Sequence, residues 1–406
     1  MLTDTGLGRR YLELLVETLD IPQSLYERAV KRHHSLGEWL CRDGSRLKQL
    51  DPRVSPQGSF RHGTVVRPLV ADAEYDLDNV TTLEMSKAAI TQKELKDLYG
   101  LEMRGYAQAY GMLAPPEEKN RCWRLRYADE EKFHLDSLPS LAEEESVILA
   151  LRARNVSEEL AKRAIAITDR RHPAYANVTT AWPTSNPRGF ARWLEAKMGA
   201  FAEARRRELV ERRLYAAVED VPTYELKTPL QRAIQLLKRH RDVMFADNPE
   251  LAPISMILTN LAGQAYNGEA DVCLAVRGIL SRMLDFVRAE RPRVPNPTHP
   301  AEDYADKWAK DHRLELNFRQ WHAQASRDFE QVPALVDPVA LKAATRRSFR
   351  VDLGDDYLRR LGLLSPLSPS IITSAALLSG FLLRRAHGER DSEGDRGRAV
   401  SPERSH

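Results

Sequence analysis

The sequence predicts an α+β protein in which a strand-bearing lobe is followed by a helical lobe. Two observations carry that prediction. Between residues 57 and 136, apolar and polar residues alternate in Tyr75-Asp76-Leu77-Asp78 and again in Arg121-Cys-Trp-Arg-Leu-Arg-Tyr127, and a period of two is that of a strand. Ahead of residue 41 and beyond residue 226, apolar residues recur every three or four positions, as in helices. A chain of 406 residues, 42% hydrophobic and 29% charged, has enough apolar material for two cores. The expected divisions are 1–225, 226–350 and a C-terminal segment at 351–406.

Taken in order, residues 9–41 read as two helices. Leu12, Leu15, Val16 and Leu19 stripe the first, Pro22 interrupts, and Tyr26, Ala29, Val30, Leu36 and Trp39 stripe the second. The pair is expected to pack behind whatever the next segment forms. A strand at 74–84 precedes a helix from Ser86 to Tyr110 with Leu95, Leu98 and Tyr99 on one side. Residues 121–127 and 132–136 form a hairpin around an acidic turn, and Ser137-Leu-Pro139 stops it. Residues 200–219 read as a charged amphipathic helix bridging the lobes, 226–290 as helical, and 301–330 as a further helix after a proline-rich connection. Residues 361–383 carry no charge, but Pro366, Pro369 and several serines favour a helix docked on the body or on a partner over a membrane span. From about residue 387 the chain is polar and expected to be disordered.

Charge and cysteines narrow the function class. A net charge of +3 is too small for bulk attraction to nucleic acid. Cys41, Cys122 and Cys273 are scattered, with no disulfide framework or zinc spacing, and the first residues lack the apolar core of a signal peptide. The expectation is a cytoplasmic protein with no stable nucleic-acid partner and no membrane span.

The chemistry centres on residues 57–80, QGSFRHGTVVRPLVADAEYDLDNV. A Gly-Ser pair lets backbone N–H groups approach phosphate oxygens without obstruction. Asp76 and Asp78 share a strand face, about 6–7 Å apart, an arrangement that suits a hard divalent cation with oxygen ligands. Glu74 shares that face as well, so the spacing alone does not say which two of the three carboxylates would bind. By itself such a run is equally the wet face of an edge strand, and Gly-Ser equally a turn. Asp136 alone would be a capping or turn aspartate; with the upstream pair it supplies the third carboxylate that metal-assisted phosphoryl or nucleotidyl transfer needs. His134 and Cys122 read as structural, because no partner at metal spacing accompanies either.

At these residues the chain resembles the bacterial cGAS/DncV-like nucleotidyltransferases (CD-NTases), relatives of cyclic GMP-AMP synthase and oligoadenylate synthase in the polymerase-β-like superfamily. QGSFRHGTVVRP, EYDLD and FHLD carry the resemblance. It continues through residues 165–169, 185–189 with Trp193, 228–242, 253–259 and 296–308, covering most of 25–330 in order. The resemblance implies a polymerase-β-like lobe with a mixed sheet and a helical lobe that completes a nucleotide cleft. It implies that Asp76, Asp78 and Asp136 hold two magnesium ions, with manganese an alternative, and that Gln57, Gly58 and Ser59 hold phosphate. Lys238 then matches a helix lysine reaching the triphosphate and Ser255 a serine at the next helix start.

Read without the resemblance, Lys238 lies off the apolar stripe of Leu230, Ile234 and Leu237 and would be a solvated lysine paired with Asp242. The basic run 238–241 would likewise be a solvated face.

The implied activity is synthesis of a cyclic oligonucleotide second messenger from ATP, GTP or other ribonucleoside triphosphates. Its implied setting is antiviral signalling of the CBASS type, with a separate effector and a HORMA-type or ligase-type accessory protein acting through the C-terminal segment. Two alternatives stand beside it. One is a nucleotidyltransferase acting on RNA ends or a small-molecule acceptor; the other is a catalytically silent nucleotide-binding regulator.

Overall fold

The computed structural model describes residues 6–70, 73–127, 133–199, 227–360 and 362. The expectations for 200–219, the acidic turn at 129–131, 363–383 and the polar tail lie outside them. Residues Met1–Asp352 form one compact unit and Leu353–His406 a second, whose described part includes a short helix, Asp355–Arg360.

The alternating segments pair into one mixed sheet. Its strands are β1 (Arg53–Gln57), β2 (Tyr75–Leu83), β3 (Glu117–Glu118), β4 (Trp123–Tyr127), β5 (Phe133–Ala142), β6 (Ile165–Ile167) and β7 (Thr184–Ser185). The order is β1-β2-β5-β4-β3, with β6 joined to β5 and β7 to β6. Only β2 and β5 run parallel, in a register that sets Asp78 beside Asp136 and Asp76 beside His134. Side chains alternate, so Leu77 and Leu135 turn to one face. There they join a core with Leu95, Tyr99 and Met103. Asp76, Asp78 and Asp136 take the other face, which is apolar further along at Val80 and Leu138.

The helices before and among these strands are α1 (Leu7–Thr18), α2 (Gln23–Cys41), α3 (Gly58–His62), α4 (Gln92–Ala109), α5 (Glu145–Arg152), α6 (Glu158–Ala161) and α7 (Pro187–Lys197). Pro22 separates α1 from α2 as expected, and α2 packs against β1. The first helix packs instead on helices of the second half. Those are α8 (Pro229–Met244), α9 (Ser255–Ala265), α10 (Val272–Arg282), α11 (His312–Gln331) and α12 (Pro338–Phe349). Among the described residues no helix is long and apolar enough to cross a membrane.

Three elements differ from the sequence reading. The helix expected from Ser86 begins at Gln92, because Thr91 and Glu94 form a reciprocal capping box there. Pro139 does not stop β5. It falls between the β4 ladder, which ends at Ser137, and the β6 ladder, which begins at Ser140. A missing N–H is tolerated at such a gap, so Asp136 sits mid-strand. Residues 301–311 are not α-helical: β8 (Pro295–Asn296) and β9 (His299–Asp303) form a hairpin, a short 3₁₀ helix spans Asp306–Ala309, and α11 starts only after Asp311 caps it. Asp303 holds the hairpin by accepting from the backbone N–H groups of Arg293, Val294 and Ala305, each at 2.9 Å.

Helix α8 fastens the helical half to the segment that follows α3. Pro at its first position and a Thr228–Gln231 capping box start it. Four of its side chains then donate to carbonyls of that segment. Gln231 reaches His62 at 2.9 Å, Gln235 reaches Val65 at 2.7 Å, Lys238 reaches Thr64 at 3.1 Å and Arg239 reaches Arg67 at 2.7 Å. Positions 231, 235, 238 and 239 share one helical face, and that face is what closes the cleft.

Candidate active site

Gly58 ends β1 and opens α3 with φ of +66°, in the left-handed region that glycine adopts readily. A Cβ there would lie 2.1 Å from Oδ2 of Asp78. The glycine is thus required twice, by its own backbone and by the carboxylate packed on it. Asp78 lies opposite Gln57 in the β1–β2 ladder. Its carboxyl is pushed up to about 8, first by burial and then by the charges of Asp76 and Asp136. Asp76, Asp78 and Asp136 are hard oxygen donors close enough for their charges to oppose one another, and that repulsion is what a divalent cation relieves. The donor set fits such an ion.

Two residues read as structural or not singled out in the sequence sit in this site. His134 lies between two carboxylates and as the imidazolium donates to both, from Nδ1 to Glu74 Oε2 at 3.0 Å and from Nε2 to Asp76 Oδ1 at 3.0 Å. Burial lowers its pKa, but the hydrogen bond and charge of Asp76 outweigh that and leave it raised. Atoms of Asp76, His134 and Asp136 come within 4.8 Å of one another, close enough to share an ion. Asp78 stands apart from that trio, with its oxygen turned to Gly58. Arg124 grips Asp136 with two hydrogen bonds of 2.6 and 2.7 Å. Both residues were visible in principle. His134 is two positions from Asp136 on one strand face, and the β4–β5 register sets Arg124 directly across from Asp136.

A cavity of about 300 Å³ opens beside these groups, lined by Gly58, Ser59, Asp76, Asp78, Lys238 and Ser255 among others. Gln57 and Asp136 are not in its lining; Gln57 borders a second cavity instead. Lys238 is buried and donates to the Thr64 carbonyl and, at 3.0 Å, to the Thr64 hydroxyl. Asp242 is taken by Arg241, at 2.6 Å. The basic run is therefore not a solvated face: Lys238, Arg239 and His240 are buried, and His240 meets Asp328 at 3.0 Å. Burial, with the nearby charge of Arg241, holds the Lys238 ammonium down to about 7. Ser255 opens α9 and accepts from Arg241 at 3.2 Å.

Residues 52–139 match the family model for the nucleotidyltransferase domain of DncV-like cyclic GMP-AMP synthases. The class of the segment is thereby defined: residues 52–139 carry a DncV-like nucleotidyltransferase domain, and the fold is that of the CD-NTase CdnG. It is 29% identical to a c-di-GMP synthase of Roseivirga ehrenbergii, across 76% of this chain and 74% of that protein. It is 28% identical to the cyclic dinucleotide synthase CdnG of Bradyrhizobium diazoefficiens across 93% of each. The solved structure of that CdnG in complex with GTP superposes with a TM-score of 0.60 over 88% of this chain and 97% of that one, at 23% identity.

Proposed function

We propose that this nucleotidyltransferase is a cyclic dinucleotide synthase. One observation carries the reading. The cavity of about 300 Å³ and a second of about 220 Å³ meet at Gly58, His62, Asp78 and Met256. Two compartments that join at a carboxylate suit one nucleotide whose α-phosphate is attacked and another whose ribose hydroxyl attacks. Relatives that bear the names c-di-GMP synthase and cyclic dinucleotide synthase support the same product class.

In this reading Gly58 and Ser59 offer backbone N–H groups to the triphosphate, and Lys238 and Ser255 bind its terminal phosphates. Asp76, Asp78 and Asp136 would hold divalent cations, magnesium by preference. When bound, these supply charge neutralisation at the phosphates and acidify the attacking hydroxyl. The hydroxyl oxygen forms a bond to the α-phosphorus, its proton leaves, and the bond to pyrophosphate breaks. A second such step, with the roles of the nucleotides exchanged, closes the ring, so two triphosphates yield one cyclic dinucleotide and two pyrophosphates. His134 holds Asp76 at the edge of the cleft, and Arg124 fixes the orientation of Asp136 beside it. The setting is bacterial antiviral signalling in which the product acts on a separate effector.

The test is incubation with magnesium and the four labelled ribonucleoside triphosphates, followed by phosphatase. A phosphatase-resistant labelled product that Asp78→Asn abolishes is expected. Phosphatase-sensitive linear products alone would favour transfer to another acceptor, and turnover by Asp78→Asn equal to wild type would sink the catalytic reading.

A further inference from the structure

We propose that Glu302 reads the base in the smaller cavity and selects guanine. This rests on the two-nucleotide reading above and names the base that one compartment takes. At about 220 Å³ the cavity is small beside ligand pockets of ~300–1,000 Å³, a size that takes the base of the second nucleotide and leaves its ribose at the junction with the larger cavity beside Asp78. Its lining includes Asp78, Phe190 of α7, Asn296 of β8, Glu302 of β9 and Tyr304 just beyond β9. The Phe190 and Tyr304 rings meet edge to face at 6.0 Å and 89°. Aromatic walls hold any base, since every base has a π-face. Discrimination has to come from the polar groups.

The orientation of those polar groups is determined by the hairpin. Asn296 is buried, and its Oδ1 accepts from the Thr298 N–H at 2.8 Å and the Thr298 hydroxyl at 3.0 Å. A flipped amide would set N–H against N–H, so the NH₂ group must face outward. It donates to Glu302 Oε2 at 2.7 Å. The other oxygen, Oε1, has no hydrogen-bond partner among the described residues, and no cation pairs with the carboxylate there. Burial raises the Glu302 pKa, opposed by the Asn296 donor and the charge of Arg121.

An ionised carboxylate only accepts hydrogen bonds. Guanine presents two adjacent donors, N1–H and the N2 amine, and pairs with it two-pronged; adenine presents a lone pair at N1, which the carboxylate repels. A buried acceptor left unmatched by the wrong base is costly, so such sites discriminate strongly. The block at 296–308 thus gains a role that the triad and the phosphate loop do not supply.

The experiment is displacement of labelled GTP from the full chain by GTP, ITP and ATP, with the cyclic-product assay run in parallel. Wild type is expected to prefer GTP to ATP by about 100-fold or more, and GTP to ITP, which lacks the N2 amine, by about 10-fold. In Glu302→Gln, which is isosteric and keeps the Asn296 contact, an amide N–H faces the base. The GTP-to-ATP preference should fall at least about tenfold and GTP should lose its advantage over ITP. Unchanged ratios in a Glu302→Gln protein that melts like wild type would overturn the proposal. Should that variant not fold, Glu302→Asp, which retains the charge one methylene back, must show a reduced but persistent preference for GTP; a full wild-type ratio refutes the assignment. A cyclic product without these ratio changes leaves the synthase standing and Glu302 wrong. Guanine selection lost in Glu302→Gln, with only linear product from wild type, does the reverse.

Discussion

Lys238 is the residue at which burial and ligand pull in opposite directions. Without nucleotide its pKa is down to about 7, chiefly because the ammonium is desolvated beside Arg241. The folded value lies below the unfolded one, so the penalty on the charged form is relieved as pH rises from about 7 toward the ordinary lysine range, and stability grows over that window. A triphosphate needs the charged form. Above pH 7, therefore, nucleotide affinity should fall by up to about tenfold per pH unit from this group while the free protein gains stability. The measurement is the ratio of wild-type to Lys238→Met affinity for GTP between pH 6.5 and 9. That ratio should decline with pH, and a flat ratio would remove Lys238 from the phosphate site. Its position off the apolar stripe is legible in the sequence, but its burial is not, because the Thr64 carbonyl that receives it belongs to a segment 174 residues away. Arg124 and His134 were missed for a related reason. Periodicity places a side chain on a face without saying which charge waits across the ladder.

At the scale of elements, the cleft depends on one asparagine that ties three segments together. Asn186 caps α7 by accepting from the Gly189 N–H at 3.0 Å, and its amide donates to the carbonyls of Leu160 at 2.9 Å and Thr298 at 3.0 Å. Gly189 cannot carry a side chain, because a Cβ would lie 2.4 Å from Asn186 Oδ1. Asn186 thus ties the α7 wall of the smaller cavity to the β8–β9 wall. Asn186→Ala should cost on the order of 2–4 kcal/mol, from the lost cap and two unpaired carbonyls. It should also raise the nucleotide KM more than it lowers kcat. Asn186→Asp keeps the cap but sets a carboxylate oxygen against the two carbonyls, so it should cost at least as much stability as the alanine variant and still raise KM. Wild-type KM in that variant would show that the tie to Thr298 does nothing for the site. Ser-Asn-Pro announces a helix start in the sequence. The hairpin at 295–303 is silent there because its stability comes from Asp303 gathering three backbone N–H groups, a contact with no periodic signature.

Across the whole molecule, the groups of the cleft come from sequence positions as distant as Gly58 and Ser255, and only the folded unit of residues Met1–Asp352 brings them together. The unfolded chain offers neither a triphosphate site nor a cation site, so binding must appear as stability. At a ligand concentration of about 100 times Kd the gain is about 2.7 kcal/mol. With an unfolding entropy of ~2.1 cal/mol/K per residue, a unit ending at Asp352 should then melt about 3–4 °C higher. Asp76 and Asp78 border one cavity with Gly58, Ser59, Lys238 and Ser255, so cation and nucleotide should not act independently. Each neutralises charge that opposes the other, and linkage makes the coupling reciprocal. Melting temperatures with magnesium alone, GTP alone and both together should therefore be more than additive. Asp78→Asn should abolish the excess while leaving a shift with GTP alone, and Lys238→Met should weaken the GTP shift with or without magnesium. Strictly additive shifts in wild type would mean that the cation and the nucleotide occupy separate places, and the single cleft between β2, α3 and α8 would no longer account for the chemistry.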